Sequence, residues 1–184
     1  IGPVVMGWIG DSGSVAYLDS QKELFETLGR NVPGMVLRVL SSRFPRYRRL
    51  KVEDFRWTPE NETEILRSFD IGVMPLPEDP WSKGKCGLKL LQYMASGVPA
   101  VASPVGMNAD VIQEGVNGFA PKTVAEWTLA VRRLKEDPAL RIRVGAAGRK
   151  TVEEGYALSV TAPRLAGMLK AVAGWKEFEG VPFD

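Results

Sequence analysis

Three lysines stand close together at the point where the sequence predicts the start of a helix. Lys83, Lys85 and Lys89 follow a proline-rich loop and lead into the helical pattern of residues 87–95. The first turn of a helix has unpaired N–H groups and a partial positive charge, so cations there are unfavourable unless an anion lies beside them. Phosphate is an anion that helix N-termini commonly bind. The segment therefore predicts a phosphate site, with a solvated lysine surface as the alternative.

The helix predicted at 87–95 has a polar face and an apolar face. Helical spacing sorts its side chains into two sets: Lys89, Gln92 and Ser96 on the polar face, and Leu88, Leu91 and Met94 or Ala95 on the apolar face. We expect the apolar face to be anchored in a core. The polar face is expected to line a site or to meet water.

The chain contains no histidine and a single cysteine, Cys86. The lack of histidine excludes a Ser-His nucleophile and most zinc sites. One cysteine allows neither an intrachain disulfide nor a thiolate metal cluster, and it is typical of a reducing compartment. Because Cys86 has no histidine partner, we predict a small buried residue rather than a nucleophile.

The bulk properties are those of one ordinary globular domain. The length of 184 residues, with 45% hydrophobic and 25% charged residues, is sufficient for a substantial core. A net charge of +2 argues against a dedicated nucleic-acid-binding protein. The sequence has no run of about 18 apolar residues, so it predicts no membrane-spanning helix.

Short apolar runs alternate with helical patterns along the chain, which predicts a Rossmann-like α/β domain with a parallel sheet and helices on both faces. Strands are predicted at 3–8, 35–40, 50–55, 71–74, 99–102 and 118–120. Helices are predicted at 14–28, 60–68, 87–95, 109–114, 124–135, 139–155 and 159–173. We expect a single domain over residues 1–175 and a C-terminal tail at 176–184.

Three loops should lie at the carboxyl edge of this sheet, where ligands of such folds bind. They span residues 7–14, 75–84 and 103–108. In the first loop, Gly10, Ser12 and Gly13 allow a close approach to a phosphate, although a tight turn explains them equally well. This loop matches neither the dinucleotide-binding glycine pattern nor a Walker loop.

Taken together, these segments resemble the C-terminal, nucleotide-sugar-binding domain of group 1 glycosyltransferases, enzymes built from two facing Rossmann-like domains. The resemblance covers about residues 3–173 and rests on several short motifs that occur in the same order. The matching segments are 7–10 (Gly-Trp-Ile-Gly), 69–76 (Phe-Asp-Ile-Gly-Val-Met-Pro-Leu), 84–87 (Gly-Lys-Cys-Gly), 92–99 (Gln-Tyr-Met-Ala-Ser-Gly-Val-Pro), 103–106 (Ser-Pro-Val-Gly), 115–119 (Gly-Val-Asn-Gly-Phe), 126–127 (Glu-Trp) and Arg149.

The resemblance implies transfer of a sugar from a nucleoside-diphosphate sugar to an acceptor, with retention of configuration. It implies a diphosphate bound by N–H groups and lysines, a ribose bound by Gln92, and a base flanked by residues 56–59. The implied donor-binding residues are Gly10, Ser12, Gly13, Trp57, Lys83, Lys85, Gly87, Leu88, Lys89 and Gln92. No cofactor and no metal are expected, because helix dipoles and lysine charge take the place of a divalent cation.

The resemblance also implies a partner domain that precedes Ile1. That domain would bind an acceptor sugar or lipid and supply the catalytic residues, so this chain alone is expected to be inactive. We expect a cytoplasmic protein, with peripheral contact to the inner face of the membrane as one option. The densest basic run, Arg43 to Arg49, is expected to be a solvated loop, with membrane contact as the alternative.

The chain departs from the family at two places. The family often carries two glutamates eight positions apart, and here these positions hold Gly84 and Gln92. A glutamine carbonyl can accept a hydrogen bond from ribose, but Gly84 offers no side chain to the donor sugar. The arginine and lysine that grip the diphosphate after the first strand are not evident at 10–14. These departures leave the base and the donor sugar open.

Other functions and residue roles remain open at this stage. A nucleotide-sugar 2-epimerase half-domain and a non-catalytic glycosyltransferase-like module are the alternatives to the transferase. Trp57 and Trp81 are expected to cover loop edges, or else to contact a base or sugar. Trp8 and Trp127 are expected in the core.

Overall fold

A parallel six-stranded sheet, in the order β3-β2-β1-β4-β5-β6, forms the centre of the computed structural model, which describes residues 3–174. The strands are β1 (Val4–Ile9), β2 (Met35–Ser41), β3 (Lys51–Arg56), β4 (Ile71–Met74), β5 (Ala100–Ala102) and β6 (Gly118–Phe119). The helices are α1 (Val15–Ser20), α2 (Lys22–Asn31), α3 (Glu62–Arg67), α4 (Pro80–Lys83), α5 (Leu88–Ala95), α6 (Met107–Val111), α7 (Val124–Glu136), α8 (Pro138–Gly155) and α9 (Leu158–Val172). The predicted fold class is confirmed.

Apart from shifts of a few residues at the ends of elements, two segments differ from the prediction. The helix expected at 14–28 is divided at Gln21 into α1 and α2. The loop expected at 75–84 contains α4, because Asp79 accepts a hydrogen bond from the Ser82 N–H and Pro80 occupies the first helical position. The predicted tail at 176–184 lies outside the described residues.

Alternate side chains of the strands enter two separate apolar layers, one on each face of the sheet. In β1, Met6 and Trp8 face the layer formed with α1, α2, α7 and α8. Val5 and Ile9 face the layer formed with α3, α5 and α6. This alternation follows from the two-residue period of a strand, and it explains why β1 is apolar on both sides. Trp8 and Trp127 are both buried, as predicted.

The buried Tyr93 on α5 ties together the two central strands. Its hydroxyl accepts a hydrogen bond from the Ile9 N–H (3.2 Å) and donates one to the Val73 carbonyl (3.3 Å). These bonds lie where β1 and β4 diverge, which is the point at which the strand order reverses. In open parallel sheets, this reversal leaves a crevice at the carboxyl ends of the strands. Tyr93 therefore fixes α5 beside that crevice.

The last helix, α9, buries none of its side chains within the described structure. Its apolar residues Leu165, Met168 and Val172 are all exposed. Neither α9 nor any other helix within residues 3–174 is long and apolar enough to cross a membrane.

Candidate functional site

A cavity of about 690 Å³ opens at the carboxyl edge of the sheet. Its walls come from the loops that follow β1, β2 and β3, from the start of α3, from the end of β4, and from the turn before α5 together with the first two turns of that helix. All of these segments follow parallel strands, whose carboxyl ends meet at one edge, although they are far apart in sequence. The crevice expected from the fold is thus a formed cavity of the size that holds small-molecule ligands.

Seven of the ten residues predicted to bind a donor line this cavity: Gly10, Trp57, Lys85, Gly87, Leu88, Lys89 and Gln92. Ser12, Gly13 and Lys83 do not. Gly13 lines a second cavity of about 530 Å³, which shares Asp11 and Lys85 with the first. Lys83 instead lies 3.2 Å from the Glu78 carboxylate, in an exposed salt bridge. The three lysines therefore do not line one cavity together, because Lys83 ends α4 whereas Lys89 lies in the first turn of α5.

Lys85 and Lys89 lie over aromatic rings rather than against carboxylates. The Lys85 Nζ is 4.8 Å from the centre of the Tyr17 ring, and the Lys89 Nζ is 5.4 Å from the Trp8 ring. Within residues 3–174, neither lysine forms a salt bridge. A ring face attracts a cation but leaves its charge uncompensated. Both ammonium groups therefore keep a full charge available to an anion in the cavity.

The environment of Lys89 makes its positive charge costly. Burial lowers the pKa of Lys89, the nearby Lys85 charge lowers it further, and Asp11 partly opposes both effects. Asp11 itself has a lowered pKa, chiefly because it accepts hydrogen bonds from the N–H and hydroxyl of Ser14. An anion placed beside Lys89 would relieve the cost of its charge.

Two glycines permit the close approach of α5 to the end of β1. A Cβ atom on Gly10 would lie 2.4 Å from the Trp8 ring and 2.8 Å from the Lys89 Cε. Gly87, the N-cap of α5, has a φ of 67°, in the left-handed region that other residues seldom adopt. The helix that begins there leaves the N–H groups of Leu88 and Lys89 without partners in the helix. These donors and the two lysines place positive charge at this end of the cavity, where the Asp11 carboxylate also lies.

The opposite end of the cavity is built around Glu62, the first residue of α3. The Trp57 Nε1–H donates to Glu62 Oε2 (2.5 Å), and the Gln92 Nε2–H donates to Glu62 Oε1 (2.9 Å). The loop before α3 is fixed by Asn61, whose side chain accepts from the Thr58 N–H and donates to the Arg56 carbonyl. This end therefore presents a tryptophan, a carboxylate and an amide held together.

Two predictions about this region are wrong. On the predicted apolar face of α5, Met94 is buried and Leu91 packs against the core, but Leu88 is 60% exposed. Leu90 and Tyr93 are buried beside Met94 instead, because the hydrogen bonds of Tyr93 set the rotation of the helix. Cys86 is exposed at the cavity, since it lies in the turn before α5 and not within a packed element. Of the two tryptophans expected at loop edges, Trp57 lines the main cavity, and the exposed Trp81 lines the second.

Sequence reasoning did not identify Glu62, Asp11 and Ser42 as cavity residues. Their positions in the sequence could have identified them, because each comes after a strand whose carboxyl end reaches this edge of the sheet. In the described part of the chain, no three aspartate, glutamate or cysteine side chains lie close enough together to hold a metal ion.

The family model for group 1 glycosyl transferases matches residues 37–137, which is more than half of the chain. Among curated proteins, sucrose synthase from Melioribacter roseus is 33% identical over 96 residues, which are 49% of this chain and 12% of that protein. Glycogen synthase from Mycobacterium tuberculosis is 31% identical over 94 residues, 50% of this chain and 22% of that protein. The matched part is thus a small share of these relatives.

Solved structures of the same fold cover nearly the whole chain. Sucrose-phosphate synthase from Thermosynechococcus elongatus superposes with a TM-score of 0.72 at 18% identity, over 94% of this chain and 46% of that one. The C-terminal domain of LpcC, a group 1 family protein from Francisella tularensis, has a TM-score of 0.63 at 19% identity and covers 85% and 88% of the two chains. The chain therefore belongs to the group 1 glycosyltransferases, and its fold is that of their C-terminal domain.

Proposed function

We propose that this domain binds the nucleoside-diphosphate sugar from which a retaining glycosyltransferase takes its glycosyl group. The observation that carries the proposal is the polarity of the cavity. One end has two lysines that form no salt bridge with a described residue, beside the N-terminus of α5, and the other has an aromatic ring with fixed polar groups. A nucleoside diphosphate has the matching shape, with charge at one end and a stacking base at the other.

The lysine end would contribute directly to catalysis. When the bond between the anomeric carbon and the phosphate oxygen breaks, its electron pair leaves with the nucleoside diphosphate. Lys85, Lys89 and the N–H groups that begin α5 would stabilise the negative charge that develops on that oxygen. We propose that these groups suffice without a divalent cation, so binding should be unaffected by a chelator. Loss of binding in excess EDTA would refute this part.

The acceptor and the remaining catalytic groups are assigned to a further domain on the N-terminal side. The lengths of the relatives support this division, because the chain matches only 35–49% of several solved family structures. Residues 1–175 would then form the donor domain. Within this proposal, the acceptor is a sugar or a lipid, and this chain alone shows no turnover.

Calorimetric titration with UDP, GDP and ADP tests the donor site. Wild type should bind one of them, and Lys89→Ala should weaken that binding by about tenfold or more, as expected for loss of a charged contact. Lys83→Ala is the matched control, since it removes the same charge from the end of the preceding helix α4, and Lys83 lies outside the cavity. UDP is the first choice, because the related Anabaena HepE was solved in complex with UDP-glucose. Equal effects of both substitutions, or no binding by wild type, would overturn the proposal.

A cytoplasmic location with contact at the inner face of the membrane belongs to the same proposal. The side chains of Arg48 and Arg49 form no salt bridge with a described residue, and they are the candidates for contact with anionic lipid. Co-sedimentation with vesicles that contain phosphatidylserine, for wild type and for Arg48→Ala/Arg49→Ala, tests this contact. Equal sedimentation of the two proteins would rule out these arginines.

A further inference from the structure

Glu62 is the one carboxylate that touches both Trp57 and Gln92 within the described cavity. It lies 30 positions from Gln92 in sequence, and α3 brings it there. Each of its two oxygens accepts one hydrogen bond: Oε2 from the indole N–H of Trp57 and Oε1 from the amide N–H of Gln92. One side chain thus holds the aromatic surface and the polar group of this end of the cavity in a single arrangement.

The contact with Glu62 determines which way the Gln92 amide is turned. An ionised carboxylate only accepts hydrogen bonds, so the Gln92 group that faces it must be the NH₂ and not the carbonyl. The Gln92 Oε1 is then directed away from Glu62. Within residues 3–174, this oxygen accepts no hydrogen bond, and its side chain lines the cavity. A free acceptor is therefore available to a ligand hydroxyl.

We propose that Glu62 is a positioning residue that orients Gln92 so that its carbonyl oxygen accepts a hydrogen bond from a ribose hydroxyl. This inference rests on the proposed donor site and explains how a glutamine serves there. A free glutamine amide can turn either its NH₂ or its carbonyl toward a ligand, and only the carbonyl accepts. Glu62 removes this ambiguity, and it also fixes the Trp57 ring through the indole N–H. Selectivity for a ribose hydroxyl thus depends on a residue that does not itself touch the ribose.

The test compares each nucleotide with an analogue that lacks the ribose hydroxyls. UDP, GDP and ADP are titrated into the 184-residue chain beside their 2′,3′-dideoxy forms. Wild type should prefer the ribonucleotide. Glu62→Gln keeps the size of the side chain but leaves one acceptor for two donors, so the Gln92 amide is free to turn. The preference for ribonucleotide should fall by about five- to tenfold, as expected for one hydrogen bond.

Two further variants separate orientation from a general structural effect. In Glu62→Gln/Gln92→Glu the pair is reversed. The amide now at position 62 accepts from Trp57 and donates to the carboxylate now at position 92, whose second oxygen accepts from the ribose. This double variant should restore the preference. Glu64→Gln, an exposed position on the same helix, is the matched control and should behave as wild type.

The outcomes distinguish this inference from the function on which it rests. If Glu62→Gln lowers the affinity for both forms equally, Glu62 has only a structural role and the inference fails. If the reversed pair does not recover the preference, it also fails. Wild-type binding without any preference for the ribonucleotide overturns the inference but leaves the donor site standing. Absence of any nucleotide binding overturns both.

Discussion

Two basic regions of the chain, the arginine run at 43–49 and the cavity lysines Lys85 and Lys89, differ in how their charges are paired. In the Arg43–Arg49 run, Arg43 pairs with Asp19 and Arg46 pairs with Asp54, while Glu26 accepts hydrogen bonds from the backbone N–H groups of Arg48 and Arg49. At the cavity, Lys85 and Lys89 lie over the rings of Tyr17 and Trp8 and have no carboxylate within salt-bridge distance among the described residues. Two of the four arginine side chains in the denser basic region are therefore paired with carboxylates, whereas neither cavity lysine is.

From this contrast we infer that the pairing of charges, and not their number, marks a candidate anion site. Exposed ion pairs such as Arg43–Asp19 satisfy their charges on the surface and contribute little to stability. The half-buried Lys89 forms no salt bridge with a described residue, and burial together with the Lys85 charge lowers its pKa, an effect that Asp11 only partly opposes. Ionisable groups whose pKa is shifted by burial and by neighbouring charges cluster at functional sites.

The largest expected effect comes from removal of both cavity lysines. Lys85→Ala/Lys89→Ala should lower nucleoside-diphosphate affinity on the order of a hundredfold, because two charged contacts are lost. Calorimetry on the double variant measures this, and circular dichroism confirms that it is folded. If the double variant binds as tightly as wild type, the contrast between the two basic regions has no functional meaning.

Gly10→Ala should disturb the cavity from within. The added Cβ would overlap the Trp8 ring and the Lys89 side chain, so the unfolding free energy should fall by about 1–3 kcal/mol and nucleotide affinity should fall with it. Denaturant unfolding measures the first effect and calorimetry the second. Gly155→Ala is the control, since a Cβ there meets no atom within 4 Å. Equal stability of the two variants would show that the packing at Gly10 is loose.

Nucleotide affinity should also depend on alkaline pH through Lys89. In the free protein its pKa lies below the ordinary value of 10.5, and a bound diphosphate raises it again, so the ligand favours the protonated form. Affinity is then greatest below the pKa of the free protein and declines as the pH rises through that pKa toward 10.5. Calorimetry across this range should show the decline in wild type but not in Lys89→Ala. The same slope in both proteins would assign it to another group.

The smallest effect is expected from the paired arginines of the 43–49 run, Arg43 and Arg46. Arg43→Ala/Arg46→Ala removes as much positive charge as the cavity double variant, yet it should leave nucleotide affinity unchanged within the error of calorimetry. Both arginines are paired with carboxylates and lie outside the cavity, and solvent screens their remaining field. A clear loss of affinity in this variant would mean that net charge, and not local pairing, attracts the nucleotide.

Seven of the predicted residues line the cavity because the motifs that predicted them and the walls of the cavity both come from loops at the carboxyl edge of the sheet. Loops that follow parallel strands meet at one edge of the sheet, so the order of the segments along the chain was enough to predict that the glycines after β1 lie near the lysines at the start of α5. The rotation of α5 could not be obtained in this way. Its buried face depends on the hydrogen bonds of Tyr93 to Ile9 and Val73, which are distant in sequence. For this reason Leu88, expected in the core, is exposed at the cavity instead.

The sequence by itself determined the fold class, the six strands and the family, because periodicity and ordered short motifs are local properties of the chain. Only the tertiary structure decided which charged side chains are paired with a partner of opposite charge. It brought Asp19 to Arg43 and Glu62 to Gln92, and it left Lys85 and Lys89 facing an open cavity. Such pairings join residues from separate loops, and their geometry is set by packing across the whole sheet. No local pattern in the chain encodes them.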